Sequence, residues 1–446
     1  MRWTVLRQVA ISCLVAFLAL PAVARTRPHY GGTLRMEIEG DPWQQPNGLA
    51  RRLVLDGLTR MDADGSAQPA LAVEWKSDNE DHRWEFRLRP GVHFHDGSNL
   101  TSDTVVAALS AACAANCPWT TIHAVGSSVI FIGDAPMPNL PALLAGDEYL
   151  IAADAGGNIG TGPFQLNGFN NAVLTLTAND SCWQGRPFVD AVEIHVRRSI
   201  RDQWLDLSVG RADLVEVPAE QLRQARDQRL TVLQSPPATL LALSVSSSGA
   251  LANPDLRAAI ALAVDRGVLS SVVFQKQGEV TASLLPAALT GYSFLFSTER
   301  DLDKSHEKHG GLTPPQFTLS TEGGSAMQLA AQRIALNLHD AGFNVQVVAA
   351  AGTRPADLAL RRLPLASNQP QAALEAMLRS AGVQAPMLEQ APAGLYKVER
   401  DFLENHTLIP LLYLSRAYAI GGRVRDLRLS VDGTPQLADA SLEDAQ

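Results

Sequence analysis

A mixed α/β chain of two or three domains is what the sequence predicts, and three observations carry it. The 446 residues exceed what one hydrophobic core supports, since single cores stop growing beyond about 250–300 residues. Trp84, Phe86 and Leu88 alternate with Arg83, Glu85, Arg87 and Arg89, which is the period of a strand with one buried face. Close behind, Thr101 to Asp103 supply oxygen acceptors ahead of Val105-Val106-Ala-Ala-Leu109, which starts a helix.

Taken in order, the chain opens with Arg2 and Arg7, an apolar run from Val9 to Leu20, then Pro21 and Ala22-Val-Ala24. That three-part layout reads as a secretory leader over residues 1–24, its apolar run being shorter than the ~20 residues that span a bilayer. Cys13 sits with most of the apolar run still to come, the wrong position for a lipid-anchored cysteine. Removing the leader takes away two of the 37 basic residues and none of the 46 acidic ones, so the net charge moves from −9 to −11. A surface of that sign argues against nucleic acid as a partner. No later segment is long and apolar enough to cross a bilayer, so the mature chain is expected not to span a membrane. It is expected to act as a monomer.

The stretch Leu55–Val106 carries the densest punctuation. Asp62-Ala-Asp-Gly65 is a turn signal, because Asp caps its own backbone and Gly accepts positive φ. Pro69 stands at the opening of a short helix expected over Pro69–Trp75, where its missing N–H costs nothing. The alternating strand around Trp84–Leu88 ends at Pro90-Gly91, and Val92-His-Phe-His95 resumes as its hairpin partner before Asp96-Gly97 turns the chain. Trp75, Trp84 and Trp183 read more readily as core residues than as ligand platforms, since aromatics bury large areas. Cys113 and Cys117, four apart in an exported chain, admit either a local disulfide or two small buried residues. Cys182 is then left over and buried. Asp301–Pro315, charged and poor in apolar residues, is expected to be an exposed connection.

These residues, in this order, resemble bacterial extracellular solute-binding protein family 5, the peptide, nickel and oligosaccharide receptors of ABC importers. The resemblance rests first on Gly57-Leu58, Asp62, Asp64-Gly65, Pro69, Leu71-Ala72, Trp75, Phe86, Leu88-Arg89, Gly91-Val92, Phe94-His95-Asp96-Gly97, Leu100-Thr101, Asp103 and Val105. It continues through Gly31-Gly-Thr-Leu34 as a first strand, Gly160-Thr-Gly-Pro-Phe164, Leu174–Val196, Gly210-Arg-Ala-Asp213, Asn253–Arg266, Leu285-Pro286 and Ile409-Pro-Leu-Leu-Tyr413. Cys182 stands where the family usually has an aromatic residue. Two regions depart from the pattern: Ser293–Asn405 is short for the family, the helix that follows the Leu285-Pro286 segment is hard to find, and Ala356–Leu363 replaces the usual Asp-bearing strand.

The resemblance implies a two-lobed periplasmic binding protein, class II-like, with an extra subdomain in the first lobe. Lobe I would comprise residues 25–46, 161–238 and 410–446, the extra subdomain 47–160, and a shortened lobe II 239–409, with crossings near Phe164, Pro236 and Pro410. Its partners would be a peptide or other small solute and an ABC permease complex, with no cofactor and no metal. The solute cleft is expected at Glu37, Glu39 and Trp43, at Thr161 and Phe164, and at Arg361 and Arg362. Glu39 would face a cationic group of the solute, and Arg361 or Arg362 a carboxylate, for which arginine's planar donor fork is suited.

Catalysis finds little support. The sequence holds no GxSxG elbow, HExxH helix or Walker loop, so no catalytic residue is assigned and a secreted hydrolase is the weakest reading. His306-Glu-Lys-His309 places two imidazoles a turn apart, but in a polar segment expected to be loose and without a third ligand. A member that has lost transport and serves as a sensor or scaffold is the alternative that the shortened second lobe suggests.

Overall fold

The structure is a computed structural model that describes residues 29–40, 48–62, 66–112, 117–292, 296–311, 316–321, 324–349, 356–365, 367–380, 392–430 and 432–443. The leader at 1–24, Trp43 and Cys113 lie outside the described residues. In chain order, strand β1 (Thr33–Glu37) leads through helix α1 (Leu49–Val54) to a ribbon of β2 (Thr59–Met61) and β3 (Ala67–Pro69). Then come β4 (Ala72–Ser77), β5 (Arg83–Leu88), α2 (Ser102–Ala112), β6 (Thr121–Val125) and β7 (Ser128–Ile132). The chain goes on with β8 (Phe164–Asn170), β9 (Val173–Ala178), β10 (Ala191–His195), α3 (Ile200–Ser208), β11 (Leu214–Glu216) and β12 (Thr231–Gln234). A second αβ succession follows: β13 (Thr239–Val245), α4 (Pro254–Ala263), β14 (Gly278–Val280), α5 (Leu302–His309), β15 (Phe317–Thr321), α6 (Ser325–Asp340), β16 (Val345–Ala349) and β17 (Leu358–Pro364). Helices α7 (Pro370–Ser380) and α8 (Pro392–Leu403), then β18 (Leu408–Leu414), β19 (Ala417–Ile420), β20 (Val424–Arg425) and β21 (Ser441–Leu442), complete it.

Three sheets organise these elements. A seven-stranded sheet has the order β12-β19-β11-β1-β10-β9-β8, and a six-stranded sheet the order β14-β18-β13-β17-β15-β16. A four-stranded antiparallel sheet, β4-β5-β7-β6, carries its own core of Trp84, Phe86, Trp119, Phe131 and Tyr149. Each large sheet is the spine of one lobe. Two passages join the lobes, at 235–238 and 415–416, and they are bound to each other. Ser235 N donates to the Arg416 carbonyl at 2.9 Å, Arg416 N donates to Ser235 Oγ at 3.0 Å, and Ala238 N donates to the Leu414 carbonyl at 3.1 Å.

Local chemistry accounts for the expected elements. Helix α4 begins where Asn253 accepts from Asp255 N at 2.9 Å with Pro254 at the first position, where a missing N–H is harmless. Helix α3 is capped by Ser199, whose hydroxyl accepts from Asp202 N. Four expectations are corrected. Pro69–Trp75 is not helical: Pro69 ends β3, and Ala72–Ser77 is a strand paired with β5, its Trp75 ring 5.9 Å from Phe86. Pairing with β5 overrides the local proline signal. Val92–His95 is a turn with a single bridge from His93 to Asn99, while β5 takes β4 and β7 as neighbours. Residues 301–310 are not a loose connection, because Asp301 accepts from Lys304 N at 3.0 Å and caps α5, which Gly310 closes in the left-handed region. Helix α5 buries Ser305 and His309, the latter edge-on to Phe343 at 4.9 Å. Phe164 and Pro410 are not at the crossings between the large sheets: Phe164 opens β8 and Pro410 lies inside β18. The segment after Pro286 does form a helix, reduced to Ala287–Thr290.

Candidate functional site

The parallel strands β1, β10 and β11 end side by side at Glu37, His195 and Glu216. Solutes of open α/β sheets bind beyond the carboxyl ends of such strands, and Glu39 stands just past the end of β1. Its backbone N–H donates to Glu216 Oε2 at 3.0 Å. Its own carboxylate accepts from the backbone N–H of Ser325 and lies within the field of Arg362. Ser325 is the first residue of α6, a helix of the other lobe whose N-cap, Gly324, has no side chain to cap it. The first N–H groups of a helix need partners from outside it, and the positive end of the helix favours an anion. A carboxylate from lobe I thus caps a helix of lobe II.

Burial, and then the negative charge of Glu216, raise the Glu39 pKa above the ordinary carboxylate value, with Ser325 and Arg362 pulling it back. Glu220 is raised in the same sense by burial and by Glu39. Behind this group lies Arg416, at the lobe junction, its guanidinium 6.0 Å from the ring centre of Tyr418. Burial works against its charge, yet Tyr418, Asp432 and Glu216 together hold its pKa above the usual one. Burial pushes the Tyr418 hydroxyl up to about 12.

Strand geometry separates the two candidate arginines. Side chains alternate faces along a strand. On β17, Leu358 and Leu360 pack into the core beneath α4 and α6, whereas Leu363 packs with α7 and α8 on the other side. Arg362 therefore belongs to the face of α6 and Glu39, and Arg361, which is exposed, to the opposite face. Of the two, only Arg362 is brought to Glu39.

The other expected cleft residues are placed differently. Glu37 is buried within lobe I, its carboxylate 3.5 Å from Arg198 Nε, and Arg198 also pairs with Asp206. Burial raises the Glu37 pKa, against Arg198 and with Asp206. Thr161 is 1% exposed, and its hydroxyl donates to Asp56 Oδ2 at 2.9 Å. Phe164 is fully buried in the lobe I core with Leu34, Leu174 and Val192. Neither presents a surface to a solute: the Gly160–Phe164 motif is a packing device. A Cβ on Gly160 would stand 2.0 Å from the Val54 carbonyl oxygen, and one on Gly162 2.7 Å from the Val54 carbonyl carbon. Trp43 lies outside the described residues. Cys117 is disulfide-bonded, although the partner expected for it, Cys113, is outside the described residues, and Cys182 is a buried free thiol.

Sequence reasoning missed Asp56, Glu216, Ser325 and Arg416. Asp56 carried a signal, an acid inside the apolar Leu53–Leu58 run; it accepts from Trp183 Nε1 at 2.8 Å as well as from Thr161. Among the described residues no group of three or more acidic, histidine or cysteine side chains is arranged to hold a metal ion, and no helix is long and apolar enough to cross a membrane.

Two lobes are thus joined by paired passages, and charged groups meet between them. The family model for bacterial extracellular solute-binding proteins, family 5, matches residues 66–384, and the chain belongs to that family. Proteins of that family are binding receptors rather than enzymes. Among curated proteins it is 33% identical over 168 residues to the uncharacterized protein YhjP of Bacillus subtilis, across 34% of this chain and 29% of that one. It is 28% identical over 190 residues to the HTH-type transcriptional regulator SgrR of Escherichia coli, across 39% of this chain and 34% of that one. The match thus spans about a third of the length of each of these relatives. Among solved structures, the oligopeptide-binding protein AppA of Bacillus subtilis, in complex with a nonapeptide, superposes with a TM-score of 0.78 at 18% identity, covering 94% of this chain and 100% of that one. At that identity the likeness is one of fold.

Proposed function

We propose that the protein is an exported receptor of an ABC importer, led to the periplasm by residues 1–24, which as a monomer captures a solute between its lobes and presents it to a permease. A peptide is the first choice of solute, supported by the fold shared with a nonapeptide-binding protein. The observation that carries the reading is the meeting of Glu39 from lobe I with Ser325 and Arg362 from lobe II. A zwitterionic solute entering there finds an acid on one wall and a guanidinium on the other, so each end of it has an opposite charge to meet. Solute adds to closure only as far as it binds the closed form better than the open one.

A second reading follows from the similarity to SgrR: the same fold serves as a sensor, with solute capture signalled rather than delivered. One experiment addresses solute capture, and a second separates the two outcomes. Protein purified natively, denatured and examined by mass spectrometry is expected to release a peptide, and consistent absence of any small molecule would count against the receptor. With the released solute in hand, Arg362→Ala is expected to weaken binding about tenfold, as loss of a charge-assisted hydrogen bond does, and Arg361→Ala to leave it unchanged. Uptake of the solute by cells carrying the protein, and its loss on deletion, would favour import over sensing.

A further inference from the structure

The lobes touch at a second place, where neither charge needs a solute. Helix α7 buries Ala373, Leu374, Met377 and Leu378 on the six-stranded sheet of lobe II. Glu375 and Arg379, one turn apart, flank that buried stripe and point out from the lobe. Arg379 Nη2 donates to Glu375 Oε1 at 2.8 Å, and the two side chains are only 19% and 20% exposed. Their order, acid before base by four residues, is the favourable one along a helix. What covers them is the four-stranded subdomain. Asn139 Nδ2 donates to Glu375 Oε2 at 3.3 Å, and Arg379 Nη1 donates to the Tyr149 hydroxyl at 3.5 Å. Both partners are firmly mounted: Asn139 leads into the buried Leu140–Leu143 turn, and Tyr149 is 3% exposed with its ring 5.6 Å from Trp119.

Both oxygens of Glu375 are therefore used, one within α7 and one across the gap between the lobes. We infer that Glu375 and Arg379 form a closure clamp that docks α7 on the subdomain. The clamp sets the fraction of closed molecules without touching the solute. Because apparent affinity scales with the fraction of molecules in the binding-competent form, these residues tune affinity for every solute by one common factor. The clamp itself is read on the empty protein, and only its consequence for affinity rests on the receptor reading.

The test uses the full chain stripped of solute by denaturation and refolding, and small-angle scattering as the readout. Empty wild-type protein is expected to scatter as the form described here, with α7 docked on the subdomain. Arg379→Ala, and Asn139→Ala from the other side of the gap, are each expected to shift the open-to-closed ratio by about tenfold toward open, the scale of one hydrogen bond to a charged group. The radius of gyration rises accordingly, with the thermal midpoint unchanged. Asn139→Ala leaves α7 intact, so it stays informative should Arg379→Ala fold poorly. An open empty wild type, or folded variants that scatter like wild type, would overturn the clamp. Opening of the variants in a protein that releases no solute would sustain the clamp and remove the receptor.

Discussion

Each lobe contains a carboxylate that ties distant segments together, half-buried in lobe I and fully buried in lobe II, and the two differ in how they are built. In lobe I, Asp56 accepts from the side chains of Thr161 and Trp183, within a junction where Gly160 and Gly162 lie directly against the carbonyl end of α1. In lobe II, Glu399 is fully buried, takes the backbone N–H groups of Leu284 and Leu285 at 2.5 and 3.3 Å, and accepts from the Tyr292 hydroxyl at 2.6 Å. Burial raises the pKa of both acids, opposed by those same donors. The first junction is held by backbone contact that only glycine allows; the second is held by hydrogen bonds that leave room for a substitute. Tolerance to mutation should therefore differ between them more than burial alone suggests.

The largest effect is expected at Gly160. A methyl group there would sit 2.0 Å from a backbone oxygen, so Gly160→Ala must separate α1 from the Gly160–Phe164 segment and is expected to cost about 4 kcal/mol or more of folding stability, the range of severe core disruption. Urea denaturation measures it, and a loss below about 1 kcal/mol would show that the junction yields. Next comes Glu399→Ala, which leaves two amide donors and a tyrosine hydroxyl without their acceptor. Unmade hydrogen bonds in a dry interior cost about 1–3 kcal/mol each, and with partial relaxation a total of about 3 kcal/mol is expected. Glu399→Gln keeps an acceptor oxygen and should lose less than half as much; equal losses for the two variants would mean that volume, rather than hydrogen bonding, holds this junction.

The same contrast explains what the sequence disclosed. Lobe I was legible because its constraints fall on residue types at fixed local spacing: Gly160 and Gly162 in one motif, the alternating Trp84, Phe86 and Leu88 in one strand. Even there, motif and site were confused, since Thr161 and Phe164 serve packing and not the solute. Lobe II was less legible because its bonds end on backbone groups that carry no residue-type signal, such as the N–H groups of Leu284 and Leu285 that Glu399 takes, and because Glu39 reaches Ser325 only through the fold. Nor could composition choose between Arg361 and Arg362; the alternation of β17 against its two cores does. The Asp301 cap of α5 was written in the sequence but masked by the polarity of a helix whose buried face consists of Ser305 and His309.

The smallest effect sharpens the lobe I side of the comparison through pH. His95 binds the Gly160–Phe164 segment with both ring nitrogens: Nδ1 accepts from Gly160 N at 3.3 Å, which leaves Nε2–H to donate to the Gly162 carbonyl at 3.1 Å. Only the neutral ring can do both, and burial lowers the His95 pKa below the ordinary histidine value, against the pull of Gly162, Asp56 and Asp96. A depressed folded pKa means that the unfolded chain takes up the proton first, so this contribution is complete above the unfolded value of about 6.5 and fades as pH falls through the lower folded value. His95→Ala is expected to lose about 1 kcal/mol at pH 8, the net worth of such hydrogen bonds. The gap to wild type should narrow steadily as the pH drops from 7 to 5, as read from denaturation midpoints at each pH. A gap that stays constant would mean that folding leaves the His95 pKa unchanged, and one that widens on acidification would mean that the ring is held protonated, so that the junction of lobe I is an ionic contact like those between the lobes.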